Sequence, residues 1–182
     1  EISMQAEIII SGFGGQGTLY AGQVLAYAAM VEAKHVTWIP SYGPEMRGGT
    51  ANCTVVVSDD EIGSPTALHP TAVIAMNLPS LDKYEPMIKP GGYLIVNEDM
   101  VNRTSTREDI HVLMVPASKI AMEIGNERAA NMVLLGTLEG NMHLLPQGAL
   151  ERALEAHTAA RLKKFISINI EALRRGAEYQ AD

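Results

Sequence analysis

Short β-branched runs alternate with helix-period stretches along roughly two thirds of the chain, and a helical pattern takes over after that. Ile8-Ile9-Ile10 reads as a buried strand that stops at Ser11-Gly12. The glycine-rich stretch Gly12-Phe13-Gly14-Gly15-Gln16-Gly17 follows, and Thr18 to Val31 then places Ala21, Val24, Leu25 and Ala28 at helical spacing. Gly22, Ala26 and Ala29 are small enough to let this helix lie close on a sheet.

A second strand, Val36 to Ile39, is expected to close at Pro40, and a third, Ala51 to Val57, begins without room for a crossover helix. Parallel neighbours need a crossover of a dozen or so residues, so these two strands are antiparallel or lie in different parts of the sheet. After a loop from Ser58 to Pro70 come strand Thr71 to Met76, helix Ser80 to Met87, strand Tyr93 to Val96, a polar loop Asn97 to Asp109 and strand His111 to Val115. From Ala117 onward the pattern is helical, with breaks at Gly125-Asn126, Gly140 to Pro146 and His157-Thr158. The last stretch carries an apolar stripe of Leu162, Phe165, Ile166, Ile170 and Leu173, broken by Asn169, which suits packing on the domain's own sheet or against a partner. The pattern predicts one α/β domain over residues 1–182, with a mixed, mostly parallel sheet and a helical C-terminal third.

Composition narrows the function. Of 182 residues 47 % are hydrophobic and only 19 % charged, with mean hydropathy +0.04, which is too apolar for disorder. The apolar runs are far shorter than the roughly 18–20 residues of a membrane-spanning helix, so no membrane association is expected. A net charge of −7 argues against nucleic acid as the main partner, because that binding rests on Lys and Arg neutralising phosphates. Glu1 to Ala6 lacks the charged and apolar regions of a secretory signal, which predicts a cytoplasmic protein. Cys53 is the single cysteine, so neither a disulfide nor a self-contained iron–sulfur cluster is expected, and the five scattered histidines form no i, i+4 pair for a metal. So little charge on a small chain means either unusually thorough burial or an apolar surface covered by another protein, in which case the isolated chain would also self-associate through it.

Gly12, Gly14 and Gly17 fit the G-x-G-x-x-G spacing between a strand and a helix, where free amides and the helix dipole stabilise a phosphate. A dinucleotide site would also end its second strand on Asp or Glu, but this one ends on Pro40-Ser41. As a triphosphate loop the stretch has Thr18 in place of the lysine and Leu19 in place of the magnesium-binding hydroxyl. A generic phosphate cradle and a tight packing turn both remain open. The second loop, Ser41-Tyr42-Gly43-Pro44-Glu45-Met46-Arg47-Gly48-Gly49, sets the opposite charges of Glu45 and Arg47 between glycines. They form either an ion pair that pins the loop or contacts to a ligand. Cys53, within an apolar strand, reads as an inert thiol, and Asn131 as a buried hydrogen-bonding amide. There is no G-x-S-x-G elbow.

Together the glycine loop, the Ser41 to Gly49 stretch and Ile62-Gly63-Ser64-Pro65 resemble the gamma subunit of 2-oxoacid:ferredoxin oxidoreductases, and the likeness extends through Asn131 to Gly136. The form of the second stretch is similar to the 2-oxoglutarate and 2-oxoisovalerate types. The resemblance implies a Rossmann-like three-layer domain in a complex that decarboxylates a 2-oxoacid oxidatively, with CoA as acyl acceptor and ferredoxin as electron acceptor. It places thiamine diphosphate with Mg and the iron–sulfur clusters on alpha, beta and delta partner subunits. On this chain it implies a CoA contact at Gly12, Gly14, Gly15, Gln16, Gly17 and Thr18, with Tyr42, Glu45 and Arg47 facing the active site. The alternatives are a stand-alone nucleotide-binding oxidoreductase and a purely structural assembly subunit.

Overall fold

The computed structural model describes residues 3–42 and 49–181. Its six strands, β1 (Gln5–Phe13), β2 (His35–Tyr42), β3 (Thr50–Ser58), β4 (Ala72–Ala75), β5 (Tyr93–Asn97) and β6 (His111–Val115), form one sheet in the order β2-β3-β1-β4-β5-β6. β1, β4, β5 and β6 run parallel, whereas β3 is antiparallel to both β1 and β2. The missing crossover between β2 and β3 thus has the consequence read from sequence: the two strands pair antiparallel, with Val36 opposite Val57. Because β2 is thereby parallel to β1, the loops after both strands leave the same edge of the sheet.

Strand alternation sends Ile8, Ile10, Cys53, Val55, Ile74 and Ile95 to one face and Ile9, Val73, Ala75, Leu94 and Val96 to the other. The first face carries α1 (Thr18–Val31), α3 (Ala117–Glu123) and α4 (Ala130–Met142), with α5 (Ala149–His157) against α1 and α6 (Ile166–Ala177) against α4. The second face is covered by α2 (Leu78–Tyr84) through Leu81 and Tyr84. Asn77 caps α2, its side chain accepting the Ser80 N–H at 2.9 Å. Two arginines bind the polar segment before β6 to this helix: Arg103 donates to Asp82 and Glu85, and Arg107 to the carbonyls of Glu85 and Ile88.

Two strand ends and the packing of the C-terminal stripe differ from the sequence reading in ways that matter for the site and the core. β1 does not stop at Ser11-Gly12 but continues through Phe13, because β3 offers it partners as far as Thr50. β2 does not close at Pro40 and runs on to Tyr42. A proline is tolerated there because β2 is an edge strand with one neighbour, so a lost donor need not break a ladder. The C-terminal helix packs on α4 rather than on the sheet, burying Ala172, Leu173 and Gly176; of the expected stripe only Leu173 is buried, and Leu162 stays 38 % exposed.

α4 is therefore enclosed between the sheet and α6, which explains why Ala130 to Leu138 are all buried with no polar face. The α4–α6 crossing is made by glycines. A Cβ on Gly176 would lie 1.8 Å from the Val133 carbonyl, and one on Gly136 2.1 Å from the Leu173 carbonyl. The Thr137 hydroxyl lies 2.9 Å from the Gly176 carbonyl, to which it donates. Near the end of α4, Glu139 accepts the Leu145 N–H at 2.8 Å through Oε1, while its Oε2 is buried with no partner among the described residues. Burial pushes this carboxyl up to about 7, and Glu151 adds to the rise, against backbone bonds from Leu145 and Leu144. Other large apolar side chains stay exposed, among them Tyr27, Met30 and Val31 on the last turns of α1 and Tyr42 at the end of β2.

Candidate functional site

The glycine loop is a tight turn between β1 and α1. Gln16 N–H donates back to the Phe13 carbonyl at 3.2 Å, and the Gln16 side chain accepts the Phe13 N–H at 2.6 Å. Gly15 and Gly17 have φ of +92° and +77°, conformations that side-chain-bearing residues rarely adopt. Gly17 also has no room, since a Cβ there would lie 2.4 Å from Asn131 Nδ2. Asn131 donates to the Gly17 carbonyl at 3.0 Å and so ties the loop to α4. This confirms the reading of Asn131 as a buried hydrogen-bonding group, at 5 % exposure, and gives it a task.

No side chain caps α1 among the described residues, and its first intrahelical bond runs from Ala21 N–H to the Gly17 carbonyl. The amides of Thr18, Leu19 and Tyr20 precede that bond and form the positive end of a helix of 14 residues. Gly14 N–H meanwhile donates to the Gly49 carbonyl at 2.9 Å, which fastens the glycine loop to the end of the second loop. The glycine turn and the described ends of the second loop, Tyr42 and Gly49, thus lie side by side.

Two clefts meet at this turn. The first, of about 550 Å³, lies between the start of α1 and the β2–β3 hairpin, with Thr18, Tyr20, Gln23, Trp38 and Tyr42 in its walls. The second, of about 360 Å³, lies on the opposite side, where Gln16, Met76, Asn97, Ser118 and Arg128 face it. Gly15 belongs to both, and nothing lies within 4 Å of where its Cβ would be. It is an open ridge between the clefts.

Of the residues proposed from sequence, Gly14, Gly15, Gln16, Gly17, Thr18 and Tyr42 line one cleft or both. Gly12 is a strand residue opposite Ala51, and a Cβ there would lie 2.5 Å from Gln16 Oε1, so its part is to seat the loop. Thr18 is buried, with its hydroxyl 3.4 Å from the Ala51 carbonyl. Glu45 and Arg47 lie outside the described residues. Sequence reasoning missed Trp38, Tyr20 and Gln23 in the first cleft and Asn97, Ser118 and Arg128 in the second. The nearest signal was position: Asn97 ends β5 at the carboxyl edge of the parallel strands, where ligands of open α/β sheets gather.

Cys53 lies beneath α1, fully buried, its thiol donating to the Thr18 carbonyl at 3.5 Å. Burial pushes the thiol up to about 12. At pH 8 only about one native molecule in ten thousand would carry the reactive thiolate. Ellman's reagent should therefore find no fast-reacting thiol until denaturant is added. Full reaction of the native protein within seconds would show the site to be open. Among the described residues no group of three His, Cys, Asp or Glu could hold a metal ion, and no helix is long and apolar enough to cross a membrane.

Comparison with known proteins places this geometry. Residues 7–179 match the family model for pyruvate ferredoxin/flavodoxin oxidoreductase. The chain is 38 % identical over 176 residues to the ketoisovalerate oxidoreductase subunit VorA of Methanothermobacter thermautotrophicus, covering 96 % of this chain but 36 % of VorA. It thus spans about a third of the length of that relative. It is 36 % identical over 156 residues to the 2-oxoglutarate synthase subunit KorC of Methanocaldococcus jannaschii, covering 84 % of this chain and 83 % of KorC. Among solved structures, the gamma subunit of a keto/oxoacid ferredoxin oxidoreductase from Geobacter sulfurreducens PCA superposes with a TM-score of 0.84 at 29 % identity, over 96 % of this chain and 95 % of that one. The sheet order, the glycine turn and these matches converge: the chain belongs to the pyruvate ferredoxin/flavodoxin oxidoreductase family.

Proposed function

We propose that the chain is the gamma-type component of a multisubunit 2-oxoacid:ferredoxin oxidoreductase. It supports CoA-dependent oxidative decarboxylation of 2-oxoglutarate or a branched-chain 2-oxoacid to the acyl-CoA, and the electrons released go to ferredoxin. Its own contribution is to hold CoA beside the active site that partner subunits complete. The observation that carries this reading is the open ridge at Gly15, bare of neighbours between two clefts and next to the uncapped start of α1. Such a turn lets a pyrophosphate approach backbone amides closely, with the helix dipole favouring its charge. CoA carries a pyrophosphate and needs no acidic residue after β2.

The donor set supports the division of labour among subunits. The single thiol of this chain is buried with its pKa raised to about 12, so it is unsuited to ligate an iron–sulfur cluster. Thiamine diphosphate, its Mg and the clusters belong to the alpha, beta and delta partners in this reading. Asn131 holds the turn in shape, and Trp38 and Tyr42 wall the first cleft.

Isothermal titration of the assembled enzyme with CoA tests the cradle. The side chain of Gly15→Leu meets no protein atom at its Cβ but strains the backbone at φ +92°. It is therefore compared with Gly15→Ala, which carries the same strain with little bulk; CoA should bind at least about tenfold more weakly to the Leu than to the Ala variant. Gly15→Asn serves as the backbone control, since Asn tolerates positive φ. Unchanged affinity in Gly15→Leu defeats the assignment.

A further inference from the structure

A third cleft, of about 550 Å³, opens between the C-terminal half of α4, the first turn of α5 and the last turns of α6. Glu139 lines it, and the proposed function makes no use of this carboxyl. The geometry points to a binding site for an organic cation, a protonated amine on an apolar body, with Glu139 as its counter-ion. The site is separate from the glycine turn, which meets α4 at Asn131, about 12 Å away along the helix axis.

The need for a cation starts with Glu139 itself. Its Oε1 accepts the Leu145 N–H, but Oε2 is buried with no partner among the described residues. A buried carboxylate oxygen without a donor costs free energy that a bound cation offsets. The cleft supplies none of its own. Arg174 is the one lysine or arginine lining it, and its guanidinium is already held by Glu171 at 2.6 Å and Glu178 at 2.7 Å. Glu151, in the first turn of α5, adds a second negative charge, and the cleft also meets the negative end of the α4 dipole. The last torsion of a glutamate side chain is soft, so a modest turn brings Oε2 toward the cleft while the carboxylate stays on the Leu145 N–H.

Size and walls narrow the ligand further. The volume suits a small molecule rather than a bare ion, and no group of three His, Cys, Asp or Glu among the described residues could hold a metal. Leu145, Leu150, Leu173 and Ala177 give the cleft apolar walls, so the charge is best carried on an apolar body. An α-amino acid fits poorly, because its carboxylate would find Arg174 already taken and Glu151 repelling it. Glu139 shares the cleft with His143 from the end of α4, Glu151 from α5 and the paired Arg174 from α6. Burial pushes the Glu139 carboxyl up to about 7, so near neutral pH an entering cation exchanges for its proton.

Isothermal titration of the full chain with phenethylamine, set against phenethyl alcohol and phenylalanine, tests the site without any variant. The amine should bind, and the alcohol and the amino acid should bind at least about tenfold more weakly. With Glu139 titrating at about 7, the amine should bind about tenfold more tightly at pH 8 than at pH 6. At pH 6 its binding should release close to one proton, read from the heats in two buffers of different ionisation enthalpy. Glu139→Gln keeps an oxygen for the Leu145 N–H and removes the charge, so it should abolish both the preference for the amine and the pH dependence. No binding of the amine, or equal affinity for amine and alcohol, overturns the proposal. A pH dependence that survives in Glu139→Gln belongs to another group, such as His143, and overturns the role of Glu139. Phenylalanine binding as tightly as the amine overturns the choice of ligand class.

Discussion

Replacing Gly176 by alanine should cost about 3 kcal/mol or more of folding stability, a large share of what a domain of this size possesses. The added methyl would lie 1.8 Å from the Val133 carbonyl carried by α4, and the atoms in the way are backbone, which cannot swing aside. Relief requires α6 to move off α4. That movement would stretch the Thr137 bond to the Gly176 carbonyl and the Asn141 bonds to Tyr179 and Ala181 at the end of the helix. Urea and thermal unfolding followed by circular dichroism read the effect, which should lower Tm by about 6–12 °C. Gly63→Ala is the matched control: its added carbon has nothing within 4 Å, and the change should stay within about 0.5 kcal/mol. A Gly176→Ala loss no larger than that of the control would show that the helices can separate cheaply, contrary to the packing.

Glu139→Gln should abolish a pH dependence of stability. The native carboxyl titrates at about 7 against an ordinary 4.5, because it is buried near Glu151 with Oε2 unpartnered. The folded state therefore holds this proton more tightly than the unfolded chain does. Below about pH 4.5 both states are protonated and the group adds no cost; as pH rises to about 7 the unfolded chain releases its proton first, and stability falls. Above about 7 the loss levels off near 3 kcal/mol. Glutamine keeps the oxygen that accepts the Leu145 N–H and cannot ionise. The variant should match the parent at pH 4.5 and exceed it by up to about 3 kcal/mol at pH 8 in urea unfolding. Parallel pH profiles for the two proteins would show that Glu139 reaches water in the native state.

The strands were largely legible because a buried strand needs consecutive apolar residues, and β6 in particular matches its expected bounds from His111 to Val115. Ends were less legible where pairing extends a strand past its local signal. Ser11, Gly12 and Phe13 have no β-pattern of their own and are strand because Asn52, Ala51 and Thr50 lie opposite. The helical third was readable as helices but not in its packing, since Gly136 and Gly176 carry no mark of the partner they will touch. The same limit applies to the site. The glycine turn announces itself by composition, whereas Arg128 is 113 residues from Gly15 in sequence and joins it only through the order of strands and helices. Asn131 was readable as a buried amide, but its partner, the Gly17 carbonyl, was not.

The bond from Gly14 N–H to the Gly49 carbonyl makes the turn proposed as a phosphate cradle and the end of the second loop a single mechanical unit. A subunit that displaced Gly49 on docking would drag Gly14 with it and reshape the cradle. Docking and ligand binding would then be thermodynamically coupled, and the coupling would be reciprocal: whatever factor docking lent to ligand affinity, the ligand would return to the affinity between subunits. One hydrogen bond would thus let assembly of the complex and occupancy of the cleft report on each other.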